Sequence, residues 1–158
     1  MKKLIYTAVS ILTIASLAPT ALATGRPGDS KASHLMDSAA YPLSASFRGA
    51  THQFEIHVQG RPISELSIDL PEEVSIHRGI KVTDGSGKKV DAKVSVNGRK
   101  ATAVFSQPVA PDTVLSVSLQ GVETPGYGNT WTYRVYTKDA GLTAEIPLGT
   151  ALIRTYEN

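Results

Sequence analysis

The chain has 158 residues, with 16 Lys or Arg against 14 Asp or Glu and no cysteine. That length suits one domain with a core of ordinary size, which must hold together without disulfides. The near balance of charge excludes the cationic footprint that nucleic acid or an anionic membrane surface would need, and without cysteine there is no cysteine-linked lipid anchor.

The chain opens MKKLIYTAVSILTIASLAPTALA. Lys2 and Lys3 precede an uncharged, mostly apolar run from Leu4 to Ala18, and Ala21-Leu22-Ala23 supplies the small residues of a cleavage site. A run of fifteen residues is shorter than the ~20 that a helix needs to cross a bilayer. Residues 1–23 therefore read as a secretory signal peptide cut near Ala23, and the protein as secreted or periplasmic with no stable membrane anchor. Cleavage removes two of the sixteen basic groups and leaves a neutral mature chain.

Residues 24–50, TGRPGDSKASHLMDSAAYPLSASFRGA, are rich in Ser, Ala, Gly and Pro and keep no period for long. They read as a flexible leader, with Leu43 to Phe47 able to begin a first strand. From Thr51 the pattern changes to that of a β domain over 51–158. Phe54, Ile56 and Val58 alternate with Glu55 and His57, and Leu66, Ile68 and Leu70 alternate with Ser67 and Asp69. Period two marks strands with one buried and one wet face. Pro71 ends the second, and Glu72-Glu73 after it suits the first turn of a short helical segment.

Ile80 to Thr83 forms a short strand leading into the turn Asp84 to Gly87. In VDAKVSVNGRKATAVF, Asn97-Gly98 reads as a two-residue type I′ hairpin turn. Val96 then sits opposite Arg99, and Val94, Ala92 and Val90 pair with Ala101, Ala103 and Phe105 on one apolar face. A loop at 108–113 precedes a strand carrying Leu115, Val117 and Leu119. After the turn PGYGNT, Trp131, Tyr133 and Val135 share one face of the next strand, and a last strand runs from Ala151 to Tyr156. Seven or eight short strands without helical period give an all-β, antiparallel immunoglobulin-like β-sandwich, with a small Greek-key barrel as the alternative.

The motifs that carry chemistry are few. DGSGKK lacks both the upstream glycine and the Ser or Thr after Lys88 that a phosphate-binding loop needs. Gly85-Ser86-Gly87 lacks the spacing of a nucleophile elbow, though a hydrolase can assemble its triad from any chain order. Imidazole suits copper or zinc, so His34, Met36 and a strand histidine such as His52 form the alternative metal set; His52 and His57 fall on opposite faces of one strand. Among the aromatics, Trp131 and Tyr133 are in phase with the core, while Tyr127 at the loop tip, with Asn129 and the edge of Trp131, is the candidate ligand contact.

Four stretches carry a resemblance: THQFEI, FSQPVAPDTVLSVSL, PGYGNTWTYRV and LGTALIRTY. Together they resemble an uncharacterised family of secreted proteins common in cyanobacteria, known as a domain of unknown function. Asn129 stands where that family usually has a second Gly, and Asn tolerates positive φ better than other side chains. The resemblance implies secretion and gives no catalytic residues. A weaker likeness, through IKVTDGSGKKV and QPVAPDTVLSVSL, is to small exported copper-binding sandwiches, whose late histidine is missing here. The sequence thus leads to a secreted, non-enzymatic interaction module of the cell envelope that binds a protein or glycan and uses no cofactor. A copper- or zinc-binding protein and a hydrolase are the other readings.

Overall fold

A computed structural model describes residues 32–157. The signal stretch 1–23 with its cleavage site lies outside the described residues, as does 24–31. Among the described residues there are nine strands and no helix: β1 (His34–Tyr41), β2 (Ala50–His57), β3 (Ile63–Asp69), β4 (Ser75–Asp84), β5 (Ala92–Asn97), β6 (Lys100–Val109), β7 (Val114–Glu123), β8 (Asn129–Asp139) and β9 (Ile146–Thr155). They form two antiparallel sheets, ordered β1-β2-β7-β4 and β5-β6-β3-β8-β9. The two ladders do not join, so the molecule is an immunoglobulin-like sandwich and not a closed barrel.

Alternation builds the core. His52, Phe54 and Ile56 of β2 and Leu115, Val117 and Leu119 of β7 are buried, as are Leu66 and Ile68 of β3 and Trp131, Tyr133 and Val135 of β8. Each large apolar side chain removed from water this way stabilises the fold by about 1.5–3 kcal/mol. The intervening residues of the same strands are more exposed and polar, among them Gln53, Glu55, Ser116 and Ser118.

The flexible leader expected over 24–50 is corrected from His34 onward. β1 pairs with β2 from His34↔His57 to Tyr41↔Thr51, with a bulge between Leu35 and Ser38. That bulge breaks the period of two, and within β1 only Ala40 is buried, so the segment has no alternating signature to read. Beyond β1, the Ala45 N–H donates to the Tyr156 carbonyl (2.8 Å) and the Tyr156 N–H to the Leu43 carbonyl (2.9 Å), tying this loop to the end of the chain. The Ser38 hydroxyl donates to the Leu152 carbonyl (2.7 Å), which links the sheet edges β1 and β9.

The β5–β6 hairpin is also corrected. Asn97 pairs with Lys100 and Val94 with Ala103, so Gly98 and Arg99 form the loop instead of Asn97 and Gly98. Gly98 has φ +59° and no positive φ occurs at Arg99, which is the pattern of a type II′ turn with glycine first. The displacement moves each partner by two residues, so the expected apolar face survives. Glu72 and Glu73 form a tight turn, closed by Val74 N–H to the Pro71 carbonyl (3.2 Å), and not the start of a helix.

Candidate functional site

The β7–β8 turn is shaped by two glycines. Gly126 takes φ +96°, open to glycine at no steric cost. Gly128 lies so close to the chain end that a Cβ there would meet the Glu157 nitrogen at 3.1 Å and the Thr155 carbonyl at 3.3 Å. Between them Tyr127 is held out with 39% of its surface exposed. Its ring stands 5.9 Å from that of Trp131 at a 40° tilt, and its hydroxyl donates to Glu73 on the β3–β4 turn. That hydrogen bond to a carboxylate raises the phenol above its ordinary pKa.

The structure divides the three expected contact residues. Tyr127 and Asn129 are exposed, whereas Trp131 is in the core at 2% exposure, with its indole N–H donating to the Thr155 hydroxyl (2.9 Å). Trp131 is therefore corrected from ligand contact to the floor on which Tyr127 rests. Asn129 does not use a positive φ; it opens β8 opposite Thr155, and its side-chain oxygen accepts from the Thr130 N–H (2.8 Å).

Topology adds neighbours that the sequence did not suggest. The β1–β2 loop, the β3–β4 turn, the β7–β8 turn and residues 156–157 all lie at one end of the sandwich. Tyr41, Leu43, Phe47, Tyr127 and Tyr156 are all large, exposed and located there. Beside Tyr156 runs an open groove of about 550 Å³ between the start of β8 and the end of β9, lined by Asn129, Thr130, Arg154 and Glu157 among others. Arg154 has no ion-pair partner among the described residues.

The metal set His34, Met36 and His52 does not assemble. His52 is fully buried and faces β8, where it bonds the Tyr133 hydroxyl through Nδ1 (2.6 Å). Tyr133 donating to Nδ1 leaves the fewest groups unpaired, and the His52 Nε2 is then buried without a partner. Burial pushes the His52 pKa down to about 4 and the Tyr133 phenol up. Met36 is exposed on the β1 bulge. Among the described residues no three His, Cys, Asp or Glu side chains gather as a metal centre. His34 instead meets His57, ring centre to ring centre at 5.4 Å.

Ser75, His77 and Glu123 do meet, the elements of a hydrolytic triad. Both the Ser75 hydroxyl (3.1 Å) and the Glu123 carboxylate (3.3 Å) approach the same His77 nitrogen, Nε2. A relay needs the serine on one ring nitrogen and the carboxylate on the other, so this cluster is a surface contact without the geometry to activate the serine.

Fold and site define a class: an all-β, immunoglobulin-like sandwich with an aromatic loop end. BslA, a bacterial hydrophobin, is similar with a TM-score of 0.50 at 13% identity, over 80% of this chain and 95% of its own. The collagen-binding domain of a Staphylococcus aureus adhesin is similar with a TM-score of 0.43 at 7% identity, over 80% and 99%. The first likeness shows a shared fold. No curated protein matches the sequence. Residues 29–153 match the family described as "Protein of unknown function (DUF2808)", and the chain belongs to that family.

Proposed function

We propose that the protein is an exported, non-enzymatic interaction module of the cell envelope, and that its aromatic end binds a glycan chain. One observation carries this reading: Tyr41, Leu43 and Phe47 from the β1–β2 connection, Tyr127 from the β7–β8 turn and Tyr156 after β9 are exposed at a single end. Rigid aromatic faces offer a large contact area at little entropic cost, and sugar rings stack on them. The groove at Tyr156 places the Asn129 amide, the Arg154 guanidinium and the Glu157 carboxylate along one path. Groups of that kind fix the orientation of a hydroxyl-rich ligand that the aromatic surface alone would not orient. A protein partner is the other occupant that this surface could take.

Trp131 is the chain's single tryptophan, and Tyr127 rests on it, so its emission reports on ligands at this end. Envelope polysaccharide titrated into the chain is expected to shift that emission saturably. Tyr127→Ala and Tyr156→Ala are each expected to weaken binding roughly two- to tenfold, since one stacking contact contributes ~0.5–1.5 kcal/mol. Unchanged affinity in both variants would remove the aromatic end as the site. Capture of an envelope protein that is lost in the same variants, with no glycan response, would transfer the site to a protein partner.

A further inference from the structure

Charge is nearly balanced over the chain, yet it is not evenly placed. Of the six arginines among the described residues, Arg48, Arg78, Arg99, Arg134 and Arg154 lie in the half of the sandwich that carries the aromatic end, and Arg61 lies at the other end, between β2 and β3. Most acidic groups around them are engaged. Glu72 pairs with Arg99 (3.1 Å), Glu123 approaches His77 (3.3 Å), Glu145 holds Lys100 (2.8 Å) and Glu73 accepts from the Tyr127 hydroxyl. Arg48, Arg134 and Arg154 are exposed, and their side chains have no hydrogen bond or ion pair among the described residues. What is left over is a set of free guanidinium groups.

Two of these share one surface. Tyr133 and Val135 are buried on either side of Arg134, as are Ile153 and Thr155 on either side of Arg154, so both arginines point out from the five-stranded sheet. Arg154 pairs with Thr130 in the β8–β9 ladder, and Arg134 stands four residues further along β8, about 13 Å at ~3.3 Å per residue. The groove at Tyr156 holds Thr130 and Arg154. A second open groove, of about 500 Å³, is lined by Thr132, Arg134, Asp69, Lys100, Asn97 and Arg99 among others. Thr130 and Thr132 are exposed neighbours on the same face of β8, so the two grooves follow one another along that strand.

From this placement we propose that the glycan bound at the aromatic end is acidic, its sugars carrying carboxylate or sulfate groups that Arg154 and Arg134 receive in turn along the outer face of the sheet. The inference rests on the glycan reading above and names the chemical class of that ligand. A guanidinium presents a planar fork of N–H donors that matches an oxyanion through two hydrogen bonds, and an arginine without a partner has no ion pair to give up first. Thr130, Thr132 and Asn97 offer hydroxyl and amide groups to the sugar hydroxyls between the charges. One group opposes the anion: Asp69 pairs in register with both Arg134 and Lys100 and has no ion-pair partner of its own among the described residues.

Polygalacturonate and its fully methyl-esterified form carry the same sugar rings with and without charge, and dextran sulfate with dextran is the corresponding sulfated pair. Titrated into the purified chain, the acidic member of at least one pair is expected to bind at least fivefold more tightly than its neutral match and to weaken as salt is raised; which pair discriminates more tells carboxylate from sulfate. Arg134→Gln and Arg154→Gln should each weaken the acidic polymer roughly two- to fivefold, the range of an exposed charge pair, and leave the neutral one unchanged. Asp69→Asn should strengthen the acidic polymer about twofold, and Arg61→Gln should change nothing. Both arginine side chains are exposed and unpartnered, so these variants keep the fold. Equal affinity within both pairs, with loss of binding in Tyr127→Ala, would overturn the charge selection and leave the aromatic site standing. Loss of the acidic polymer in the arginine variants but not in Tyr127→Ala or Tyr156→Ala would support the arginine path and remove the aromatic end. No saturable response to any of the four polymers would overturn both.

Discussion

Two tyrosine hydroxyls in this molecule make short hydrogen bonds to titratable partners, and they lie in opposite surroundings. Tyr133 bonds His52 between the sheets, where neither ring reaches water. Tyr127 bonds Glu73 across two loops, where both are in solvent. In the first place desolvation sets the chemistry: it lowers His52 and raises Tyr133, and it leaves Nε2 of His52 without a partner. In the second the hydrogen bond itself is the main influence on the phenol, and water stands ready to replace it. A tyrosine hydroxyl bonded to a titratable partner is therefore a stability element in the core and a positioning element at the loop end.

The largest expected effect comes from acid. His52 has a folded pKa of about 4 against an ordinary value of 6.5. Between those values the unfolded chain binds a proton that the folded chain refuses, so stability is complete above pH 6.5 and falls as the pH drops towards 4. The shift corresponds to about 3 kcal/mol. Asp84 is held below its usual range first by the Ser86 hydroxyl, and Glu145 first by Lys100, so both lose their contributions at lower pH than His52 begins to. Urea unfolding at pH 7.0, 6.0 and 5.0 is expected to show the decline, and His52→Leu should flatten it. An equal slope in that variant would mean that the buried pair is not the source.

Next in size is Tyr133→Phe, which leaves the His52 Nδ1 as a second unpartnered nitrogen in the core. Stranding one buried polar group costs ~1–3 kcal/mol. The double variant His52→Leu with Tyr133→Phe removes both polar partners and should recover most of that loss at pH 7. If Tyr133→Phe proved neutral, a water molecule at His52 would be the simplest replacement, and the contrast with the solvent-exposed pair would narrow.

How much of this was legible in the sequence depends on which signal a residue gave. Strands β2, β3, β7 and β8 follow directly from alternation, and the division of Trp131 and Tyr133 from Tyr127 follows from phase. The same phase puts His52 with Phe54 and Ile56, so its burial was written in the spacing; only the residue type argued for solvent. The β5–β6 register was hidden because a displacement of two residues leaves every face unchanged, and patterning is blind to it. β1 was hidden by its bulge. The placement of Leu43, Phe47 and Tyr156 at the same end as Tyr127, and of His34 beside His57, comes from pairings of residues far apart in the chain, which no local pattern records.

The smallest expected effect separates the two tyrosines most sharply. Tyr127→Phe deletes the hydroxyl that bonds Glu73 and keeps the ring on Trp131. Solvent accepts the freed carboxylate, so the change in unfolding free energy is expected to stay within about 0.5 kcal/mol, the ordinary range for surface substitutions. What should change is the orientation of the ring, because the tether to the β3–β4 turn is gone while the contact with Trp131 remains. The proposed glycan affinity should therefore fall, though by less than in Tyr127→Ala, with the chemical denaturation midpoint unmoved. A loss of stability comparable with that of Tyr133→Phe would show that the Tyr127–Glu73 bond holds the loops together, and the end of the sandwich would then have to be counted as part of its structural frame.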